Sequence, residues 1–153
     1  MVPILYRTLG HSPAALSAYL ALNEKLLSAT IGLALREKIA LAISQTNGCG
    51  YCISAHSMLA RMSGVDDKGV EDARAGRSSD MREAAALALA VMLVTDRGWV
   101  SDEHLAGART AGLSDAELVE IVAIVATLTF SNYTNHLAHT EIDFPRAPYL
   151  PGE

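Results

Sequence analysis

Apolar residues recur along this chain at three- and four-residue intervals, the spacing that lines one face of a helix. Ser12-Pro13 pairs an N-cap residue with proline at the first helical position and predicts a helix to about Ser28. Ile31 to Gln45 is a second helical stretch, its only charges Arg36-Glu37-Lys38, and Asn47-Gly48 ends it. A third helix is predicted from about Gly50 to Met62, with Ser63-Gly64 as its stop, and a short one over Asp66 to Ala75, closed by Gly76. Asp80-Met81-Arg82-Glu83 has the form of a capping box for Met81 to Thr95. Ser101 opens another helix and Gly112 closes it. Ser114-Asp115-Ala116-Glu117 is a second box, launching Leu118 to about Phe130, and the pattern runs on beyond Ser131 to about Thr140. No stretch alternates as a strand does, and nothing divides the chain. From Asp143 three prolines predict an extended arm over 143–153. The expected architecture is an all-α single domain over 1–153.

Composition agrees: 50% of the 153 residues are hydrophobic and only 5% aromatic, and Ala and Leu favour helices. Two predicted helices, Ala84 to Val94 and Leu118 to Phe130 with only Glu120 charged, are apolar nearly all round. One domain of this size has little room to bury both, which predicts a subunit interface and a homo-oligomer. A net charge of -5 and a pI near 5.5, without a basic cluster, leave no footprint for nucleic acid. Met1 to Arg7 lacks the basic-then-apolar order of a signal peptide. The longest uncharged apolar run, Ala84 to Val94, falls short of the roughly 20 residues that span a bilayer. The expected location is the cytoplasm, where a close cysteine pair is more often catalytic or metal-binding than structural.

The candidate chemistry is Cys49-Gly50-Tyr51-Cys52 followed by His56. Residues three or four apart share a helix face, so both thiols and the imidazole can point one way. The unpaired N–H groups of a helix start stabilise a thiolate. Cys52 is the candidate nucleophile and His56 its base. If a peroxide oxidises Cys52 to a sulfenic acid, Cys49 is near enough to condense with it and release water. In the preceding helix, Glu37 shares a face with Leu33, Ala40 and Leu41, which predicts partial burial. Folding the two helices back on each other places Glu37 roughly 12 Å before the turn and His56 roughly 10 Å after it, at 1.5 Å rise per residue. A carboxylate there orients the imidazole, and Glu37–His56–Cys52 becomes a proton relay.

Glu37, eleven residues, Cys-x-x-Cys, three residues and His resembles the signature of the alkylhydroperoxidase D-like (AhpD-like) family, within the carboxymuconolactone decarboxylase superfamily. The resemblance is specific over about Ala29 to Met62 and looser through Pro145. It implies an all-helical fold, assembly as trimers or hexamers, and thiol-dependent reduction of hydroperoxides without haem, flavin or other cofactor. It makes Cys52 the peroxidatic cysteine, Cys49 the resolving one, and Glu37 and His56 the proton relay. The implied reductant is a dithiol on a lipoyl-bearing or thioredoxin-like partner. One departure is plain: Tyr51 stands where the founding members carry a histidine, and a phenol is no base near neutrality.

Other readings compete. Two thiolates, His56 and Glu37 could supply four zinc ligands, giving a redox-switched or metal-binding module, but no second Cys-x-x-Cys is present. A lactone decarboxylase of the same superfamily is a further alternative, although those relatives lack the cysteine pair. Asn132, Asn135, His136 and His139 form a polar patch for the pocket or an interface. His11 and His104 read as surface residues, Trp99 as a packing anchor, and Tyr51 as lining the site entrance.

Overall fold

The computed structural model describes residues 2–150, which form eight helices and no strand. They are α1 (Ile4–Leu9), α2 (Pro13–Leu26), α3 (Leu33–Thr46), α4 (Gly50–Met62), α5 (Asp67–Arg74), α6 (Met81–Thr95), α7 (Asp102–Thr110) and α8 (Asp115–Ala138). The all-α single domain expected from the pattern is what forms. Helix α1 is the addition: at six residues, after Pro3 as its N-cap, it is too short to show a period.

Polar caps explain most of the starts. The hydroxyls of Ser12, Ser101 and Ser114 and the carboxylates of Asp66 and Asp80 each accept a backbone N–H from the first turn they precede. Ser114 and Glu117 make the full reciprocal capping box. Asp80 and Glu83 make only half of theirs. Asp80 Oδ1 accepts the Glu83 N–H at 2.9 Å, but the Glu83 carboxylate is drawn to Lys38 Nζ at 2.6 Å and Ser78 Oγ at 2.7 Å.

Helix α3 is the centre of the molecule and packs on α4, α5, α6 and α8. Its Ile39, Leu41 and Ile43 are fully buried with Leu87 of α6 and Ile121 and Ile124 of α8. The Asn47-Gly48 turn reverses the chain, and Gly48 takes φ +67°, a left-handed value that side chains disfavour. Helix α4 therefore returns along α3.

A second, more aromatic cluster lies at the start of α4. Leu5, Leu9, Tyr19, Tyr51 and both cysteines are buried there, with Phe130, Ile142 and Phe144 packed against them. Residues 140–150 form no helix or strand and lie along the body. Phe144 meets the Tyr51 ring edge-on at 5.4 Å, the Ala147 N–H donates to Ser54 Oγ, and Arg74 donates to the Pro148 carbonyl. The final three residues of the predicted arm fall outside the described ones.

Helix α8 alone among the described helices is long and apolar enough to cross a membrane. One of its faces nevertheless carries Ile121, Ile124 and Leu128 into the core, and Ser131, Asn132 and Asn135 beyond them toward the cysteines. Its other face leaves Val119 and Val122 exposed, next to Trp99 at the end of α6. Trp99, expected as a packing anchor, is 82% exposed. It sits in the turn after Gly98, where no second layer of helices covers it.

Candidate active site

Four side chains singled out from the sequence come together. Cys49 is the N-cap of α4 and Cys52 occupies its first turn, with both sulfurs reduced and buried. The Cys52 backbone N–H donates to Cys49 Sγ at 3.4 Å. His56, one turn further, places Nδ1 2.6 Å from Glu37 Oε2 on α3. The hairpin thus brings Glu37 opposite His56, as matched distances from the turn require.

Glu37 is only 2% exposed, so its charge must be met from within. Burial pushes its carboxyl up, but the His56 imidazole and then Arg36 outweigh that and hold it below the ordinary carboxylate value. Arg36 Nη1 donates to Glu37 Oε1 at 2.7 Å, and Arg36 Nη2 to Asn23 Oδ1 at 2.8 Å. Each Glu37 oxygen has one side-chain partner, and the one facing His56 fixes the ring.

The thiols titrate as a pair. The helix start favours Cys49, not Cys52. A hydrogen bond from Cys52 holds the Cys49 thiol below its ordinary value against burial, with the Cys52 N–H and Asn135 helping. Cys52 goes the other way, pushed up by its hydrogen bond to Cys49, by burial and by the Cys49 charge. The bond between the two thiols is the main cause on both sides, and as the N-cap Cys49 also gains the Cys52 backbone N–H, a smaller contribution. One proton is shared between two sulfurs.

Asn135 is the residue that sequence reasoning left unassigned. From α8 its Nδ2 lies 3.2 Å from Cys52 Sγ and 4.0 Å from Cys49 Sγ, and it opposes the rise at Cys52. Ser131, one turn earlier, sets its hydroxyl 4.0 Å from Cys52 Sγ. Of the polar patch, Asn132 accepts from Asn47 Nδ2 at 2.9 Å and, like Asn135, opposes the rise at Cys52, while His136 and His139 are exposed. The i, i+4 spacing of Ser131 and Asn135 was the available signal.

Tyr51 lines the site, but its hydroxyl accepts the Leu5 N–H at 3.3 Å rather than meeting a cysteine. Burial, and the Asp143 carboxylate beside it, push its ionisation up. Tyr51 takes no part in a proton relay. It ties α1 to α4 instead.

A cavity of about 560 Å³ opens onto Cys52, His56 and Glu37, walled mainly by apolar side chains such as Leu5, Leu20, Leu27, Leu59 and Phe144. Cys49 does not line it. Among the described residues no group of three or more His, Cys, Asp and Glu side chains converges as metal ligands.

A helical hairpin holds a buried Cys-x-x-Cys at its turn with a carboxylate–imidazole pair alongside, the arrangement that the resemblance to the AhpD-like family implies. The chain belongs to the carboxymuconolactone decarboxylase family, whose model matches residues 13–89. Among solved structures it is similar to the debrominase Bmp8, crystallised with 2,3,4-tribromopyrrole, at 28% identity and TM-score 0.82 over 94% of this chain and 78% of that one. A peroxidase-related protein from Silicibacter sp. TM1040 shares the fold at 20% identity and TM-score 0.78, over 100% of this chain and 81% of the other. So does an alkylhydroperoxidase AhpD core protein from Ralstonia eutropha JMP134, at 24% identity and TM-score 0.76, over 92% and 74%. No curated protein matches the chain. The family and its neighbours are enzymes with decarboxylase, debrominase and peroxidase-related descriptions.

Proposed function

We propose that the protein is an antioxidant thiol-dependent peroxidase reducing alkyl hydroperoxides, with Cys52, Cys49, His56 and Glu37 as its working residues. The observation that carries this reading is the single apolar cavity onto which Cys52, His56 and Glu37 all open. His56, oriented by Glu37, takes one thiol proton, and the other is shared by the sulfurs. When it sits on Cys49, Cys52 is a thiolate facing the cavity. Cys52 attacks the terminal peroxide oxygen, the O–O bond breaks, and the alkoxide leaves as the alcohol with the proton from His56. Cys49 then attacks the sulfenic sulfur; the S–S bond forms and hydroxide departs as water with the Cys49 proton. Sulfur carries the electrons, so the step needs no cofactor.

A dithiol from a lipoyl-bearing or thioredoxin-like partner reopens the disulfide, as the reducing cytoplasm allows. The enzyme works as a homo-oligomer, a trimer or hexamer by its family resemblance. The test is peroxide consumption with dithiothreitol. Cys52→Ser abolishes turnover, and His56→Ala lowers it by about 10²- to 10⁴-fold, the range for a lost acid–base group. Full activity in Cys52→Ser refutes the mechanism.

The similarity to a debrominase favours a second reading, reductive dehalogenation of a halogenated arene in the same cavity. Two thiols and an aryl bromide would give the disulfide, the arene and HBr. Bromide release from a bromopyrrole, at a rate exceeding that with any hydroperoxide, selects it.

A further inference from the structure

Cys49 has a cavity of its own. A pocket of about 230 Å³, separate from the one that reaches Cys52, is lined by Cys49, Asn135, His136, His139 and Thr140. Cys52 does not line it, and Tyr51 is a wall common to both. At His139 and Thr140 it adjoins a further groove of about 530 Å³ that runs past Arg7 and His11.

Two polar atoms at this second cavity are buried and lack a hydrogen-bond partner among the described residues. They are Oδ1 of Asn135, a residue 4% exposed, and Oγ1 of Thr140. Buried acceptors without partners are few in folded proteins, and each one needs an explanation. The other end of the Asn135 amide is already committed to the sulfurs. The free oxygen therefore waits beside Cys49 for a donor from outside.

We propose that this cavity is the entry site of the reductant: a slender external dithiol whose S–H docks on Asn135 Oδ1 and Thr140 Oγ1 and which attacks Cys49. The proposal rests on the dithiol–disulfide cycle given above. An incoming thiol yields its proton to His136 or His139 at the mouth, and its sulfur attacks Cys49 Sγ. The Cys49–Cys52 bond breaks, and Cys52 leaves as a thiolate beside the Asn135 amide N–H, where it takes up the proton of the donor's second thiol. The second thiol of the donor then attacks the mixed disulfide. Cys49 is released as a thiolate into the N–H bond that its N-cap position provides, and the donor departs as a cyclic disulfide. Peroxide and reductant thus use different doors to one sulfur pair, with Tyr51 between them. A histidine relay at that position is replaced by a partition.

The test separates the half-reactions. Protein oxidised to the disulfide with diamide, which requires no peroxidase activity, is mixed with dithiothreitol, quenched with N-ethylmaleimide, and its free cysteines are counted by mass. Thr140→Trp, which fills the second cavity, is expected to slow this reduction at least tenfold. Leu59→Trp, in the wall of the first cavity, is expected to slow oxidation by cumene hydroperoxide while reduction stays within twofold of wild type. Equal reduction rates for Thr140→Trp and wild type overturn the assignment, as does an equal slowing by Leu59→Trp. Should Thr140→Trp lose its helical circular dichroism, Thr140→Leu gives the same reading from a smaller plug. Failure of the peroxide to oxidise wild type would defeat the peroxidase reading, yet the diamide arm would still report where the reductant enters.

Discussion

Glu37 is an ionised carboxylate held between an imidazole and a guanidinium with almost no water. Its folded pKa is depressed, so it contributes stability that is present above the ordinary value of 4.5 and is lost as the pH falls through the lowered one. Glu37→Gln removes that contribution. The gap in melting temperature between wild type and Glu37→Gln should be widest near neutrality and shrink as the pH drops below 4.5. A gap that widens on acidification reverses the sign and refutes the pairing. The sulfurs allow a matching measurement. Thiolate absorbance should rise in two steps, the first below the ordinary thiol value of 9.0 and the second above it. Cys52→Ala removes the main support of the Cys49 thiolate and should move the first step upward. Asn135→Ala should move it the same way by less, since its amide is a lesser contributor to Cys49.

At the scale of the helix, what can be read from sequence is what lies near in sequence. Glu37, Cys49, Cys52 and His56 fall within one hairpin, so a fixed rise per residue and a turn at Asn47-Gly48 suffice to bring them together. Asn135 and Ser131 reach the same sulfurs from α8, some eighty residues on, and no local rule foretells that crossing. Arg36 was visible as a neighbour of Glu37, yet side chains one residue apart do not share a helix face. The Arg36 guanidinium nevertheless meets Glu37 with one nitrogen while Asn23 of α2 holds another. The helix start at Gly50, where the turn pair predicts it, makes Cys49 the cap. Gly48 sets that start. Its φ of +67° predicts that Gly48→Ala costs about 1–2 kcal/mol in a denaturant melt. The Cys49 thiolate step should rise with it. Unchanged thiol titration in Gly48→Ala would show that the cap survives without the turn.

At the scale of the whole molecule, the two all-round apolar helices pose the remaining question. The domain buries one face of α8 and leaves the other in water. Val119 is 70% exposed, Val122 51% and Trp99 82%, grouped about a groove that Leu93 and Leu105 floor. Clustered exposed apolar side chains of this kind mark a contact surface. The occupant that the sequence points to is a second copy of this chain, since the excess apolar surface lies on the helices too apolar for one domain to bury. Replacing Trp99 and Val119 together by glutamate places like charges in the middle of such a contact. The double variant should sediment at a lower mass than wild type, with its helical circular dichroism intact. Both cysteines lie away from this groove, so diamide should still close the disulfide in the variant. A variant that keeps the wild-type mass places the interface elsewhere, and the exposed Tyr133 and Leu137 at the far end of α8 become the next pair to substitute.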